Sequence, residues 1–87
     1  MSSHPAMPDA EVAERLGLRI REIRERRKLT QALVSARSGI ARANIARLEN
    51  AREHVPSTMT VLRIAAALEV EPTEVFEVLD TRQRLHK

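Results

Sequence analysis

Val12, Leu16, Ile20 and Ile23 recur at spacings of four, four and three, which at about 100° per residue places them on one side of a helix. A stripe of that length must be covered by other elements, and the chain supplies little except further helices. Phe76 is its only aromatic residue and it has two glycines, although 43% of its 87 residues are hydrophobic. Strands and sandwiches, built on aromatic and β-branched residues with frequent turn glycines, are poorly provided for. The length suits one small core and not two. The expectation is one all-α domain.

Five helical segments follow. Asp9 is placed to cap the first, which runs to about Arg27. Thr30 is placed to cap the second, Gln31 to Arg37, with Leu33, Val34 and Ala36 as its apolar contacts; Ser38 and Gly39 end it, because glycine reaches the left-handed conformation of a tight exit. The third spans about Ala41 to Asn50. Ala41, Ile45 and Leu48 share its inner side, while Ala43, Ala46, Arg47 and Asn50 lie opposite, with Arg42 on the flank. Ser57 caps the fourth, Thr58 to Glu69, with Val61, Leu62, Ile64, Ala65 and Leu68 directed inward. The fifth carries Pro72 in its first turn and ends near Asp80. Residues 1–8, with two prolines, read as a disordered arm, residues 9–80 as the domain, and residues 81–87 as a basic, frayed tail.

Charge is unevenly placed. From Arg15 to Arg52 eleven Lys or Arg stand against Glu22, Glu25 and Glu49, a net +8, whereas the remainder has four bases and nine acids, a net −5. A basic middle suits a face that meets a polyanion, and suits equally a solvated arginine-rich surface. The third segment sharpens the choice, because its outer side holds only small residues and guanidinium groups.

Other chemistry has little support. There is no cysteine, and His4, His54 and His86 lie in two tails and a loop without metal-ligand or triad spacing. Glu69, Glu71, Glu74, Glu77 and Asp80 are irregularly spaced and read as a solvated face. No glycine-rich phosphate loop, signal peptide or apolar run of about 18 residues occurs. The expectations are a cytoplasmic protein that is not an enzyme, with no cofactor, metal, membrane contact or evident small-molecule ligand.

Two short helices joined by a glycine-containing turn are the parts of a helix-turn-helix. From Leu16 to Phe76 the chain resembles the Cro and lambda-repressor-like (XRE-type) DNA-binding domain, on IREIRERRKLTQ, Gly39-Ile40, Ile45, Leu48, Glu49-Asn50, Pro56-Ser57 and IAAALEVEPTEVF. The resemblance implies a five-helix fold whose third helix enters the major groove of double-stranded DNA. It places Arg42, Ala43, Asn44 and Arg47 at base edges: an arginine fork matches guanine O6 and N7, and an alanine accepts a thymine methyl. Phosphate contact by the two arginines remains the alternative. It places Gln31 at a phosphate, with Asn50 and Arg52 as further phosphate contacts, and pairs Arg24 with Glu49. Val75, Phe76, Val78 and Leu79 give the fifth helix more apolar surface than one short helix buries against so small a core, which points to a homodimer on a palindromic site with Val75, Val78 and Leu79 as its interface. The competing role for Val75 and Phe76, which the resemblance allows, is to close the protomer's own core. The implied function is transcriptional regulation. An autoregulating antitoxin or restriction-modification controller uses the same residues, and a protein-protein adaptor would keep the fold without reading bases.

Three departures from the family pattern stand out. Ala51 occupies the usual glycine position, four residues rather than three separate it from Pro56, and Ala41 replaces a serine cap. Either the third helix continues toward Arg52 or Asn50 becomes the left-handed residue.

Overall fold

The structure, a computed structural model, describes residues 7–50 and 54–80. In chain order the elements are α1 (Asp9–Arg26), α2 (Gln31–Ser38), α3 (Arg42–Asn50), α4 (Thr58–Leu68), α5 (Pro72–Phe76) and a 3-10 turn at Glu77–Leu79. The described residues contain no strand. The arm at residues 1–6, the tail at 81–87, and Ala51 and Arg52 lie outside the described residues.

α1 is the central element and packs on α3, α4, α5 and the 3-10 turn, while α2 packs on α3 and α4. Leu16, Ile20 and Ile23 of its stripe are fully buried with Val34, Ile45, Val61, Ile64, Leu68 and Val75. Each such side chain contributes roughly 1.5–3 kcal/mol by leaving water. Val12 packs at the margin of this cluster.

Several expected positions fall elsewhere. Pro8, not Asp9, occupies the cap position of α1, and Asp9 becomes a first-turn acid, where the helix dipole favours negative charge. Leu33, Ala36, Ala41 and Leu62, expected inside, are exposed. Val34 alone fixes the inner side of the two-turn α2, which puts Leu33 about 100° and Ala36 about 200° away from it. Leu62 stands likewise about 100° from buried Val61, whereas Ala67, not anticipated, is buried beneath α2's side of α4. Val75 is corrected as an interface residue: it is fully buried in the protomer's own core and has no surface for a partner.

Two helix ends use the same device. After α1, Lys28 N–H donates to Glu25 O at 2.9 Å and Leu29 N–H to Arg24 O at 3.0 Å; after α4, Glu69 N–H donates to Ala66 O at 3.1 Å and Val70 N–H to Ala65 O at 3.0 Å. These paired bonds form Schellman motifs, and they explain why α1 stops before Arg27 and α4 before Glu69. The left-handed residue each requires is Lys28 (φ 60°) or Glu69 (φ 61°), not glycine. Leu29 and Val70 then pack on the core.

Gly17 has a different reason. It is buried in α1, and a Cβ built there would collide with the carbonyl oxygen of Leu48 and lie 3.3 Å from that of Glu49. The absence of a side chain lets the end of α3 rest directly on α1.

Candidate nucleic-acid interface

The turn from α2 to α3 is built by small polar residues. Gly39 has φ 76° and ψ 10°, and its N–H donates to Ser35 O. A Cβ at Gly39 would meet nothing within 4 Å, so the backbone angle and not space calls for glycine. Ser35 Oγ donates to Ile40 O at 2.6 Å, and Ile40 N–H donates to Ser38 Oγ at 3.1 Å. These bonds hold Ile40 against the core as a wedge between the helices. α2 opens as expected, with Leu33 N–H donating to Thr30 Oγ1 at 3.0 Å. α3 opens at Arg42, with Asn44 and Ile45 N–H both donating to Ala41 O. Ala41 has no side-chain acceptor to offer the first amides.

α3 divides cleanly along its length. Ile45 and Glu49 are buried and Leu48 is half-buried, whereas Arg42, Ala43, Asn44, Arg47 and Asn50 are exposed together. Among the described residues the side chains of Arg42 and Arg47 have neither an ion pair nor a hydrogen bond. Asn50 Nδ2 donates to Ala46 O at 2.9 Å, and Asn50 is the last described residue of the helix.

Behind this face is a buried polar knot. Arg24 Nε donates to Glu49 Oε2 at 2.7 Å and Nη2 to Oε1 at 3.0 Å, a two-point contact that fixes geometry as well as charge. Its third nitrogen, Nη1, donates to Leu29 O at 2.8 Å, and Gln31 Nε2 donates to Glu49 Oε1 at 3.1 Å. The Glu49 side chain is 1% exposed and that of Arg24 12%. The hydrogen bond to Glu49 raises the guanidinium pKa above its ordinary value; burial opposes this, and the charges of Glu49 and Glu25 add to it. The expected Arg24–Glu49 pair therefore exists, and Gln31 joins it. Part of the donor capacity that was assigned to phosphate at Gln31 is spent within the protein.

The basic middle of the chain is less available than its net charge implies. Arg15 pairs with Glu11 at 2.6 Å, Arg19 with Glu77 at 2.7 Å and Glu22 at 3.0 Å, and Arg21 with Glu25 at 3.2 Å. Arg15 Nη1 and Arg19 Nε also donate to Val78 O and Glu74 O, which ties the C-terminal segment to α1. Arg37 Nη1 donates to Ala67 O at 3.3 Å near the end of α4. Among the described residues, the cationic side chains without an ion pair or hydrogen bond are Arg27 and Lys28 just after α1, Arg42 and Arg47 on α3, and Arg63 on α4.

Among the described residues no three His, Cys, Asp or Glu side chains are grouped to hold a metal, and no helix is long and apolar enough to cross a membrane.

A family profile described as Helix-turn-helix domain matches residues 15–78, most of the chain. The chain belongs to this helix-turn-helix family. The helix-turn-helix transcriptional repressor RghR of Bacillus subtilis (strain 168) is 39% identical over 57 residues, covering 66% of this chain and 42% of RghR. RghRB of the same organism, an HTH-type transcriptional regulator, is 39% identical over 54 residues, 62% of this chain and 39% of that protein. The chain thus spans less than half the length of either relative. Among solved structures, the restriction-modification controller protein C.AhdI from Aeromonas hydrophila superposes with a TM-score of 0.68 at 31% identity, covering 74% of this chain and 96% of the controller. A variant of the restriction-modification controller protein C.Esp1396I shares the fold, with a TM-score of 0.72 at 22% identity over 87% of this chain and 97% of the other.

Proposed function

We propose that the protein is a sequence-specific, double-stranded-DNA-binding transcriptional regulator that works in the cytoplasm as a homodimer on a palindromic operator. The observation that carries this reading is the exposed side of α3, where unpaired Arg42 and Arg47 flank Ala43 and Asn44 while the opposite side is locked to α1 and α2. The small Ala43 lets the helix approach base edges closely. The two guanidinium groups are then free to present paired donors to guanine O6 and N7, each good contact discriminating by about 1–3 kcal/mol. The rigid Arg24–Glu49–Gln31 knot means that this geometry does not have to be assembled on binding.

The described relatives point the same way, since RghR is a transcriptional repressor and C.AhdI a restriction-modification controller. The controller role is the second reading, favoured because the match takes in 96% of C.AhdI. A protein-protein adaptor would have no use for two unpaired arginines on a helix otherwise reduced to small side chains.

Selection from random duplex DNA, followed by titration of the recovered site, tests the proposal. Arg47→Ala is expected to lose on the order of 1–3 kcal/mol on that site and to relax preference at one base pair, with a smaller loss on random duplex. Equal losses on both would remove Arg47 from base reading, and failure to enrich any sequence would overturn the specific-regulator assignment.

A further inference from the structure

The arginines of α1 up to position 24 are engaged by acids, Arg26 stands 4.0 Å from Glu74, and the run then continues with Arg27 and Lys28. Both of these are exposed, and among the described residues their side chains have no ion pair or hydrogen bond. Their place is fixed relative to α3. Arg24 bonds Leu29 O on one side and Glu49 on the other, so the last turn of α1 and the bend after it are tied to the C-terminal end of the reading helix. Lys28 also occupies a left-handed position, φ 60°, that glycine fills without strain. A conformationally unfavourable lysine beside an unpaired arginine serves no ion pair or side-chain hydrogen bond among the described residues.

We propose that Arg27 and Lys28 grip the sugar-phosphate backbone of duplex DNA beside the groove entered by α3, adding affinity without sequence preference. This rests on the DNA-binding reading above. Two cations held next to a seated polyanion displace condensed counterions, and the signature of that displacement is salt dependence and not base choice.

The test uses the wild type, Arg27→Gln, Lys28→Gly and the double variant, titrated by fluorescence anisotropy with a random-sequence duplex over a series of salt concentrations, with thermal melting alongside. Each substitution is expected to make the slope of log affinity against log salt shallower by about 1 per protomer, and the double variant by about 2. Lys28→Gly is expected to melt higher than wild type while binding more weakly, a combination that a purely structural role for Lys28 would not give. Unchanged slopes in variants that still bind would overturn the clamp and leave the α3 reading intact. A wild type showing no salt-dependent affinity for any duplex would remove both.

Discussion

Glu49 shows how much one side chain can organise. It is the single acid between Gly39 and Arg52, and it receives three hydrogen bonds from two elements other than its own. Family resemblance made the partnership with Arg24 legible in the sequence; the addition of Gln31 was not, because a glutamine at a helix start is equally suited to solvent, phosphate or a buried carboxylate until the third helix is in place. Removing one member of so buried a pair leaves the other charged, desolvated and unmatched. Arg24→Ala and Glu49→Ala are each expected to cost roughly 3–5 kcal/mol, and the double substitution less than the sum of the two. Urea unfolding of the four proteins measures the coupling, and additive losses would mean that the pair contributes nothing as a pair. Because the folded-state pKa of Arg24 is raised, its share of this stability is fully present below the unfolded-state value and is lost only as pH rises through the folded one. The coupling measured near neutrality is therefore the full one on the arginine side.

At the scale of elements, the helical periods and the caps at Thr30 and Ser57 could be read directly, since each is a local arrangement of a few neighbouring residues. The ends of α1 and α4 were each read one residue too long because Lys28 and Glu69 carry no glycine-like signal, although both adopt the left-handed conformation. Gly17 was invisible for another reason. What it permits is contact with residues about thirty positions away, and in sequence it registers only as a weak helix former. Gly17→Ala sets two effects against each other: alanine improves helix propensity by about 1 kcal/mol, while its Cβ drives against backbone carbonyls that no rotamer change can move. The collision should prevail, with a net loss of about 1–3 kcal/mol in urea unfolding. An equal or more stable variant would show that α1 and α3 have room between them.

For the whole molecule, the charge asymmetry of the sequence overstates the charge left unpaired, because pairing of the α1 arginines with Glu11, Glu22, Glu25 and Glu77 depends on side chains brought together by folding. Apolar surface needs the same correction. With Val75 withdrawn into the core, the half-buried apolar residues in the described part of the C-terminal segment are Phe76, Val78 and Leu79, and Val78 lines a shallow cleft with Leu18, which is 54% exposed. A second exposed strip, Val55, Met59 and Leu62, runs along the start of α4. A two-fold regulator must place its two reading helices about one DNA turn, roughly 34 Å, apart, so only one of these surfaces can be the main contact between protomers. The Leu18–Val78–Leu79 surface is the better candidate: Arg15 and Arg19 anchor it rigidly to α1 through Val78 O and Glu74 O, so little ordering is left to be done on association. Leu79→Glu is expected to shift the protein from dimer to monomer in sedimentation equilibrium across a concentration series and to weaken operator binding, with some loss of monomer stability as well because half-buried Leu79 also packs on the core. A wild type that sediments as a monomer at every concentration would defeat the dimer, whereas a variant that dimerises like wild type would move the interface to the Val55–Met59–Leu62 strip.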